Sequence, residues 1–436
     1  MDQKAKFLRC AEELKPRLFC SVCRPIRVIS GKADKGRAKE HAPFSYRSRP
    51  LHAGESICLD FGNHFVGQIG FRFSYSGKHP DAPAWLRFQF AERLEEFSED
   101  IDAYNGWISK SWIQLEQIHL DELPTEILLP RRYAFRYVKI TVLDVSSRYA
   151  LTVEDCFCRE STSADDTAVS FPDFGDPLLN KIDRTAVRTL RNCMQDVFED
   201  GPKRDRRLWL GDLHLQAKVN YVSYKNYDLV KRCLYLFAGS AKSDGRLSSN
   251  IFLRPGIAAD DAYMFDYALF FISTLKDYVC ASDDQETLRA LYPCAERQIE
   301  IARRAFSDTG CIKDSDRLGW CFTDWNLDLN KQASAQGIYL YCLRDFALLS
   351  RMLGKQAVLP LLKEEYENKK EAALQCFYNK DFRLFTSGAS AQISWASQIW
   401  MVLAGVVEGD EARRLLLRPE KFPDAVHIVT PYLYHF

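Results

Sequence analysis

The stretch ESTSADDTAVSFPDFG, residues 160–175, marks the point where the hydrophobic period of the chain changes. Before it, short runs such as GQIGFRFSYSG and FRYVKITVLDV alternate apolar with polar residues, and Gly, Pro, Asp and Ser separate them. This pattern is typical of the strands of a β-sandwich. We therefore predict an N-terminal extension over residues 1–24 and a β-sandwich over residues 25–165, with aromatic residues such as Phe71 and Phe135 in its core.

After this stretch the period becomes helical. Asp176 followed by Pro177 predicts an N-cap with proline at the first helical position. Apolar residues then recur on one stripe at helical spacing: Leu178, Leu179, Ile182, Ala186, Leu190 and Val197. Further helices are predicted at about 213–238, 261–281, 284–306, 331–353, 356–377 and 391–407. Their uneven loops and the lack of a repeated sequence favour a closed toroid of paired helices over an open solenoid.

Charge and hydropathy exclude several classes of protein. Among 436 residues, Lys plus Arg equals Asp plus Glu at 59 each, so no basic field is available for nucleic acid or an anionic membrane. No window approaches the roughly 20 apolar residues of a membrane span, and the charged N-terminus does not resemble a signal peptide. We expect a soluble, cytoplasmic protein.

The cysteines and histidines do not indicate a metal or redox centre. Fourteen cysteines are scattered through a large chain, which favours buried thiols over a disulfide framework. Cys20 and Cys23 have CxxC spacing, but neither a second pair nor a βαβ setting accompanies them. No loop has the spacing of a calcium site. The sequence therefore predicts no metal and no other cofactor.

The run DGPKRDRRLWLGD, residues 200–212, combines acids, bases and a tryptophan. Acid-catalysed cleavage of a glycosidic bond needs one carboxyl to protonate the leaving oxygen, a second to attack or to activate water, and an aromatic face for the sugar. Neighbouring carboxylates can keep one acid protonated while Arg204 holds another ionised. From these residues alone, a solvated loop and a glycosidase site both remain open.

The same run resembles the signature of the bacterial α-L-rhamnosidases of glycoside hydrolase family 78. That signature is Asp-x-Pro-x-Arg-acid, three residues, then Trp-x-Gly-Asp, and every defining position is filled here. The resemblance implies a β-sandwich followed by an (α/α)6 toroid over residues 170–436. It also implies an inverting glycosidase that removes terminal α-L-rhamnosyl or related deoxysugar residues from an oligosaccharide or glycoside. The sequence leaves the oligomeric state open, with a homo-oligomer as one expectation.

The resemblance assigns roles to individual residues. Asp205 would be the general acid, and Asp200 and Asp212 would bind sugar hydroxyls or tune the acid. The family usually has glutamate at the acid position, and aspartate is one methylene shorter. The implied substrate-binding residues are Arg204, Trp209, Asp261, Asp266, Tyr267, Asp324, Trp325 and His435. For the two later loops taken singly, helix capping by aspartate and packing by the aromatic ring explain the residues equally well.

The resemblance further implies closing helices and a general-base glutamate beyond Phe436. About eight helices are predicted here, against the twelve of a closed toroid, so we expect an incomplete toroid: a fragment, a truncated product or a chain completed by a partner. The alternative to an active glycosidase is a catalytically impaired carbohydrate-binding protein. Another toroid enzyme, an unsaturated uronyl hydrolase or a disaccharide phosphorylase, would share the fold.

Overall fold

The computed structural model describes residues 3–30, 39–41, 46–47, 49–313 and 321–417. The chain divides into two compact units, one of Arg17–Arg206 and one that joins the N-terminal residues to the chain after Arg206. We call them the sheet unit and the helical unit. These divisions lie at different residues from the predicted domain boundaries, because the first helix belongs to the helical unit and the helix after residue 175 belongs to the sheet unit.

Within the described residues, the sheet unit contains nine strands in one connected sheet. They are β1 (Phe19–Cys23), β2 (Arg27–Ser30), β3 (Lys39–His41), β4 (Ser56–Gly77), β5 (Ala84–Ala91), β6 (Leu115–Leu120), β7 (Thr125–Leu128), β8 (Tyr133–Asp144) and β9 (Tyr149–Thr162). The main order is β1-β9-β4-β8-β5-β6, while β2 and β7 pair with β4, and β3 pairs with β2. Every strand pairing is antiparallel. The predicted sheet-rich N-terminal region is therefore confirmed.

Strand β4 organises this sheet because it pairs with β8 over its first part and with β9 over its second, and its register shifts between Asp60 and Phe65. Alternate side chains of β4 point into the core of the sheet unit. Phe71 and Phe73 are fully buried, and the Phe71 ring centroid lies 4.7 Å from that of Phe88 on β5. Phe135 on β8 is also fully buried, so the prediction that these aromatic residues form the core is confirmed.

Helix α2 (Pro177–Cys193) completes the sheet unit. Asp176 caps it as predicted, because its carboxylate accepts the N–H groups of Leu178 at 2.7 Å and Leu179 at 3.3 Å. Two parts of the prediction are wrong. The helix ends before Val197, and the N-terminal part of its apolar stripe is exposed, with Leu178 64% accessible. Only its C-terminal part packs into the core.

The helical unit contains the remaining helices of the described residues: α1 (Gln3–Glu13), α3 (Leu210–Val222), α4 (Tyr227–Gly239), α5 (Phe265–Ser282), α6 (Gln285–Arg303), α7 (Gln332–Met352), α8 (Leu359–Phe377), α9 (Trp395–Leu403) and α10 (Gly409–Leu417). Helices α3, α5, α7 and α9 pack against one another in series, with α4, α6 and α8 beside them. Short strands join the helices: β10 (Leu208–Trp209), β11 (Asn250–Phe252), β12 (Ala258–Ala259), β13 (Tyr378–Asn379), β14 (Leu384–Ser387) and β15 (Gln392–Ile393). The predicted helical second half is confirmed.

Several helices of this unit differ from the prediction, among them α10, which was not predicted. The segment predicted as one helix over 213–238 is two, because Lys225 has a left-handed backbone and the Asn226 side chain caps α4. Helix α1 lies in the predicted N-terminal extension, where its apolar residues are too few to show a period. It packs on α4 through Phe7, whose ring centroid lies 5.6 Å from that of Tyr235.

The described residues also bear on the cysteines and on membranes. Cys311 and Cys376 form a disulfide, so the prediction of thiols is wrong for this pair. Cys20 and Cys23 lie on β1, where odd spacing directs them to opposite faces. No group of three or more His, Cys, Asp and Glu side chains in the described ranges is placed to hold a metal ion. None of the helices described is both long and apolar enough to span a bilayer.

Candidate active site

The charged run of residues 200–212 is divided between the two units after Arg206. Its first part ends the sheet unit as a turn, and its second part begins the helical unit as β10 and the start of α3. We refer to residues 199–206 as the acid turn.

The acid turn has an unusual backbone at the predicted general acid. Asp205 has φ 58° and Arg206 has φ 56°, so two consecutive residues with a Cβ occupy the left-handed region. The Asp205 side chain is only 12% exposed, and its Oδ1 lies 3.0 Å from Nη1 of Arg204. The sequence predicts that Arg204 holds a carboxylate other than the acid; in the structure Arg204 pairs with Asp205 itself.

Ion pairs fix both sides of the acid turn. Glu199 is buried, and its carboxylate accepts two bonds from Nη2 of Arg132, at 2.6 and 2.7 Å. Burial raises the pKa of Glu199 even though the Arg132 charge opposes this shift. On the other side, Nζ of Lys203 lies 2.6 Å from the Glu96 carboxylate and 3.4 Å from that of Glu92.

Asp200, a predicted sugar ligand, lines a cavity of about 720 Å³ within the sheet unit. The polar wall of this cavity includes His64 and Glu92, which are 2.9 Å apart, and Asn192, whose amide nitrogen lies 2.7 Å from Nδ1 of His64. Most of the cavity's lining residues lie on α2. This cavity was not predicted, because its residues come from four separate segments of the chain.

In the helical unit, Trp209 and Asp212 lie beside Tyr267. The rings of Trp209 and Tyr267 meet edge to face with centroids 6.1 Å apart, and the Tyr267 hydroxyl lies 3.5 Å from Oδ2 of Asp212. Gly211 permits this approach, because a Cβ at that position would lie 2.4 Å from the Tyr267 ring. Asp212 is in the first turn of α3, where the helix dipole favours a negative charge.

Asp266 ties the start of α5 to the loop of residues 321–325. It is 1% exposed, and its carboxylate accepts backbone N–H groups from Thr323 at 2.7 Å, Phe322 at 3.2 Å and Tyr267 at 3.0 Å. Burial raises its pKa, while the three backbone donors act in the opposite direction. This geometry favours a structural role for Asp266, whose contact with sugar stays a prediction.

A row of aromatic rings connects these elements. Phe322 lies between Tyr267 and Trp325, with centroid separations of 5.8 and 5.1 Å. Trp325 is 58% exposed and can offer a ring face to a ligand, whereas the neighbouring Asp324 is buried. Phe322 was not predicted as a site residue, because a phenylalanine in an apolar run carries no polar signal.

Asp261 was predicted to line the pocket. Its side chain is exposed, pairs with Lys242 at 2.9 Å and lines a cavity of about 340 Å³, and its contact with sugar stays a prediction. The preceding residue, Asp260, accepts from Nδ2 of Asn250 at 2.8 Å and lies 3.8 Å from Arg207. Burial would raise the pKa of Asp260, but the Asn250 hydrogen bond and the other donors lower it overall. Asp260 is thus the acid that joins this loop to the end of the charged run.

His435, the last predicted substrate-binding residue, lies outside the described residues. The other predicted residues fall into two sets. Asp200, Arg204 and Asp205 are in the sheet unit, and the others are in the helical unit: Trp209, Asp212, Asp261, Asp266, Tyr267, Asp324 and Trp325.

The comparison with known families gives two matches. Residues 32–160 match the glycosyl hydrolase family 78 alpha-rhamnosidase N-terminal domain. Residues 170–417 match the bacterial alpha-L-rhamnosidase 6 hairpin glycosidase domain. The chain belongs to the α-L-rhamnosidases of glycoside hydrolase family 78.

Solved structures agree with this assignment. A rhamnosidase from Klebsiella oxytoca with rhamnose bound is 43% identical, with a TM-score of 0.94 over 99% of this chain and 85% of that chain. A family 78 rhamnosidase of Bacillus sp. GL1 is 21% identical, with a TM-score of 0.74 over 91% of this chain and 42% of that one, and shows the shared fold alone. The search of curated proteins gave no match.

Proposed function

We propose that this protein is an α-L-rhamnosidase that removes terminal α-L-rhamnosyl residues from an oligosaccharide or glycoside. The observation that carries the proposal is the complete family signature, with Asp205 held on the acid turn and Trp209 and Asp212 at the start of α3. The rhamnose bound to the Klebsiella oxytoca relative supports the choice of sugar. In this proposal the helices α3 to α9 belong to an (α/α)6 toroid.

We infer that Asp205 is the general acid. Its proton passes to the glycosidic oxygen as the bond to the anomeric carbon breaks, through an oxocarbenium-like transition state. A water activated by a second carboxylate attacks the opposite face, and the configuration inverts. Asp200 and Asp212 bind sugar hydroxyls, and the exposed ring of Trp325, with Trp209 and Tyr267, provides aromatic surface for the apolar face of the sugar.

Hydrolysis of p-nitrophenyl α-L-rhamnopyranoside tests the activity directly. The wild type should release nitrophenol, and Asp205→Asn should lower kcat/KM by about 10-fold, which is less than the roughly 10²–10⁴-fold contribution of a general acid because nitrophenolate needs little protonation to leave. Asp102→Asn, at an exposed carboxylate of the same unit, is the matched control and should retain activity. Proton NMR during turnover should show the β-anomer of rhamnose first. Early appearance of the α-anomer would instead indicate retention.

A second candidate is a protein that binds rhamnosides without cleaving them. The Arg204–Asp205 ion pair at 3.0 Å favours it, because a carboxylate held in this way is suited to accept hydrogen bonds from sugar hydroxyls. Binding of L-rhamnose without turnover of any aryl glycoside, and with little loss of affinity in Asp205→Asn, would support this candidate. The oligomeric state and the cellular location stay predictions.

A further inference from the structure

The backbone at Asp205 and Arg206 calls for a physical cause. A left-handed conformation is disfavoured for any residue with a Cβ, and it is uncommon for a long side chain such as arginine. Here two such residues follow one another, at φ 58° and 56°. Such conformations persist only where the surrounding contacts hold them.

Besides the Arg204–Asp205 ion pair, the contacts at this bend come from Arg206 itself. Its backbone N–H donates to the carbonyl of Arg204 at 2.7 Å and also approaches that of Gly201 at 3.3 Å. Its side chain turns back, and Nε–H donates to the carbonyl of Pro202 at 2.9 Å. One residue thus supplies donors to three carbonyls of the acid turn.

The next contacts outward prevent the turn from moving as a whole. Arg132 holds Glu199 at the start of the turn, and Lys203 holds its middle to Glu92 and Glu96. Burial lowers the pKa of the Arg206 guanidinium, the nearby Arg132 charge lowers it further, and the Glu199 charge raises it. Because these ion pairs fix the rest of the acid turn, the contacts of Arg206 determine the direction in which Asp205 points.

We propose that Arg206 is the positioning residue for Asp205, and that its Nε–H bond to Pro202 holds the left-handed bend from which the Asp205 carboxyl reaches the glycosidic oxygen. The inference rests on the proposed role of Asp205 as general acid. An aspartate is one methylene shorter than a glutamate, so its side chain alone brings the proton less close to the glycosidic oxygen. A backbone fixed in the right direction compensates for this shorter reach.

Leaving groups of different basicity distinguish positioning from simple stabilisation of the fold. An alkoxide must be protonated as it leaves, so a displaced acid slows cleavage of methyl α-L-rhamnoside strongly. A dinitrophenolate leaves without a proton, so cleavage of the dinitrophenyl rhamnoside should depend little on the acid. A general loss of folded protein would instead lower both rates by the same factor.

The test measures kcat and KM for both rhamnosides with wild type, Asp205→Asn and Arg206→Asn. Asparagine tolerates the left-handed region, so this change removes the guanidinium while the backbone stays accessible. For Arg206→Asn we expect kcat on the methyl rhamnoside to fall about 100-fold and kcat on the dinitrophenyl rhamnoside to fall less than about threefold, as in Asp205→Asn. KM should change little, and added methylguanidinium should restore part of kcat on the methyl rhamnoside.

Controls separate the possible outcomes. Arg148→Asn removes an exposed arginine of the sheet unit, 3.6 Å from Asp81, and should leave both rates unchanged. If Arg206→Asn does not fold, as judged by thermal melting, Arg206→Lys is measured in its place and should show the same selective loss to a smaller degree. Equal loss on both substrates would overturn the positioning role and leave the proposed function standing. A wild type that cleaves neither rhamnoside would overturn both.

Discussion

The acid turn and the loop of residues 321–325 are each fixed by a buried carboxylate, but the two carboxylates have different partners. Glu199 is held by the side chain of Arg132, whereas Asp266 accepts three backbone N–H groups. A side-chain cation can be removed by one substitution, and a backbone donor cannot. The acid turn should therefore respond to changes of charge, and the aromatic region of the helical unit to changes of shape.

The largest expected effect is at Arg132. Arg132→Met removes the cation from buried Glu199, and we expect the free energy of unfolding to fall by about 2–4 kcal/mol, less than for a fully buried pair because Arg132 is partly exposed. Urea unfolding measures this loss. The double variant Arg132→Met/Glu199→Gln should recover part of it, because the uncompensated charge is gone. No recovery would mean that packing by Arg132, not its charge, holds the turn.

Gly211→Ala tests shape in the helical unit. The new Cβ would lie 2.4 Å from the Tyr267 ring, so the ring must move away from Trp209 and Asp212. We expect a loss of about 1–3 kcal/mol in the free energy of unfolding and a larger fractional loss of rhamnosidase activity. Gly256→Ala is the matched control, because no atom lies within 4 Å of a Cβ there. Equal melting temperatures for the two variants would contradict the steric argument.

These two regions also differ in how far the sequence predicts them. The signature run and the aromatic residues Tyr267 and Trp325 are visible in sequence, and the structure places their rings in one connected row through Phe322. The left-handed pair at Asp205 and Arg206 is not visible in the sequence, because local rules associate that conformation with glycine, asparagine and aspartate and do not predict it for Arg206. It depends on donors and ion pairs that only the folded chain brings together.

Loops without a hydrophobic period are a second part of the site that the sequence does not predict. In the segment ADDAY, the sequence does not show which of Asp260 and Asp261 turns inward, since neither helical nor strand spacing applies there. The structure turns Asp260 to Asn250 and leaves Asp261 in solvent. The helices with long apolar stripes were predicted to within a few residues, because burial on a neighbouring helix imposes the period.

The pH dependence of stability in Asp266→Asn tests how the buried carboxylate of Asp266 differs from that of Glu199. Burial raises the pKa of Asp266 in the folded protein above its pKa in the unfolded chain. The wild type therefore loses stability as the pH rises through the interval between these two pKa values. The Asn variant lacks this titration. The cost of the substitution in unfolding free energy should therefore be larger at about pH 3 than at about pH 7. Asp261→Asn, at a fully exposed site, should show no such difference.

The smallest effect is expected at Lys203, because its partners are partly exposed. Lys203→Met removes the contacts to Glu92 and Glu96, and surface ion pairs contribute only about 0–1 kcal/mol, less at high salt. We expect a small loss of unfolding free energy at low salt that disappears near 1 M NaCl. Gly211→Ala should cost the same at both salt concentrations, because a steric clash is not screened. A salt-independent loss in Lys203→Met would mean that the methylene groups of Lys203 support the acid turn by packing. Arg132 would then be the residue at which charge, and not packing, stabilises the acid turn.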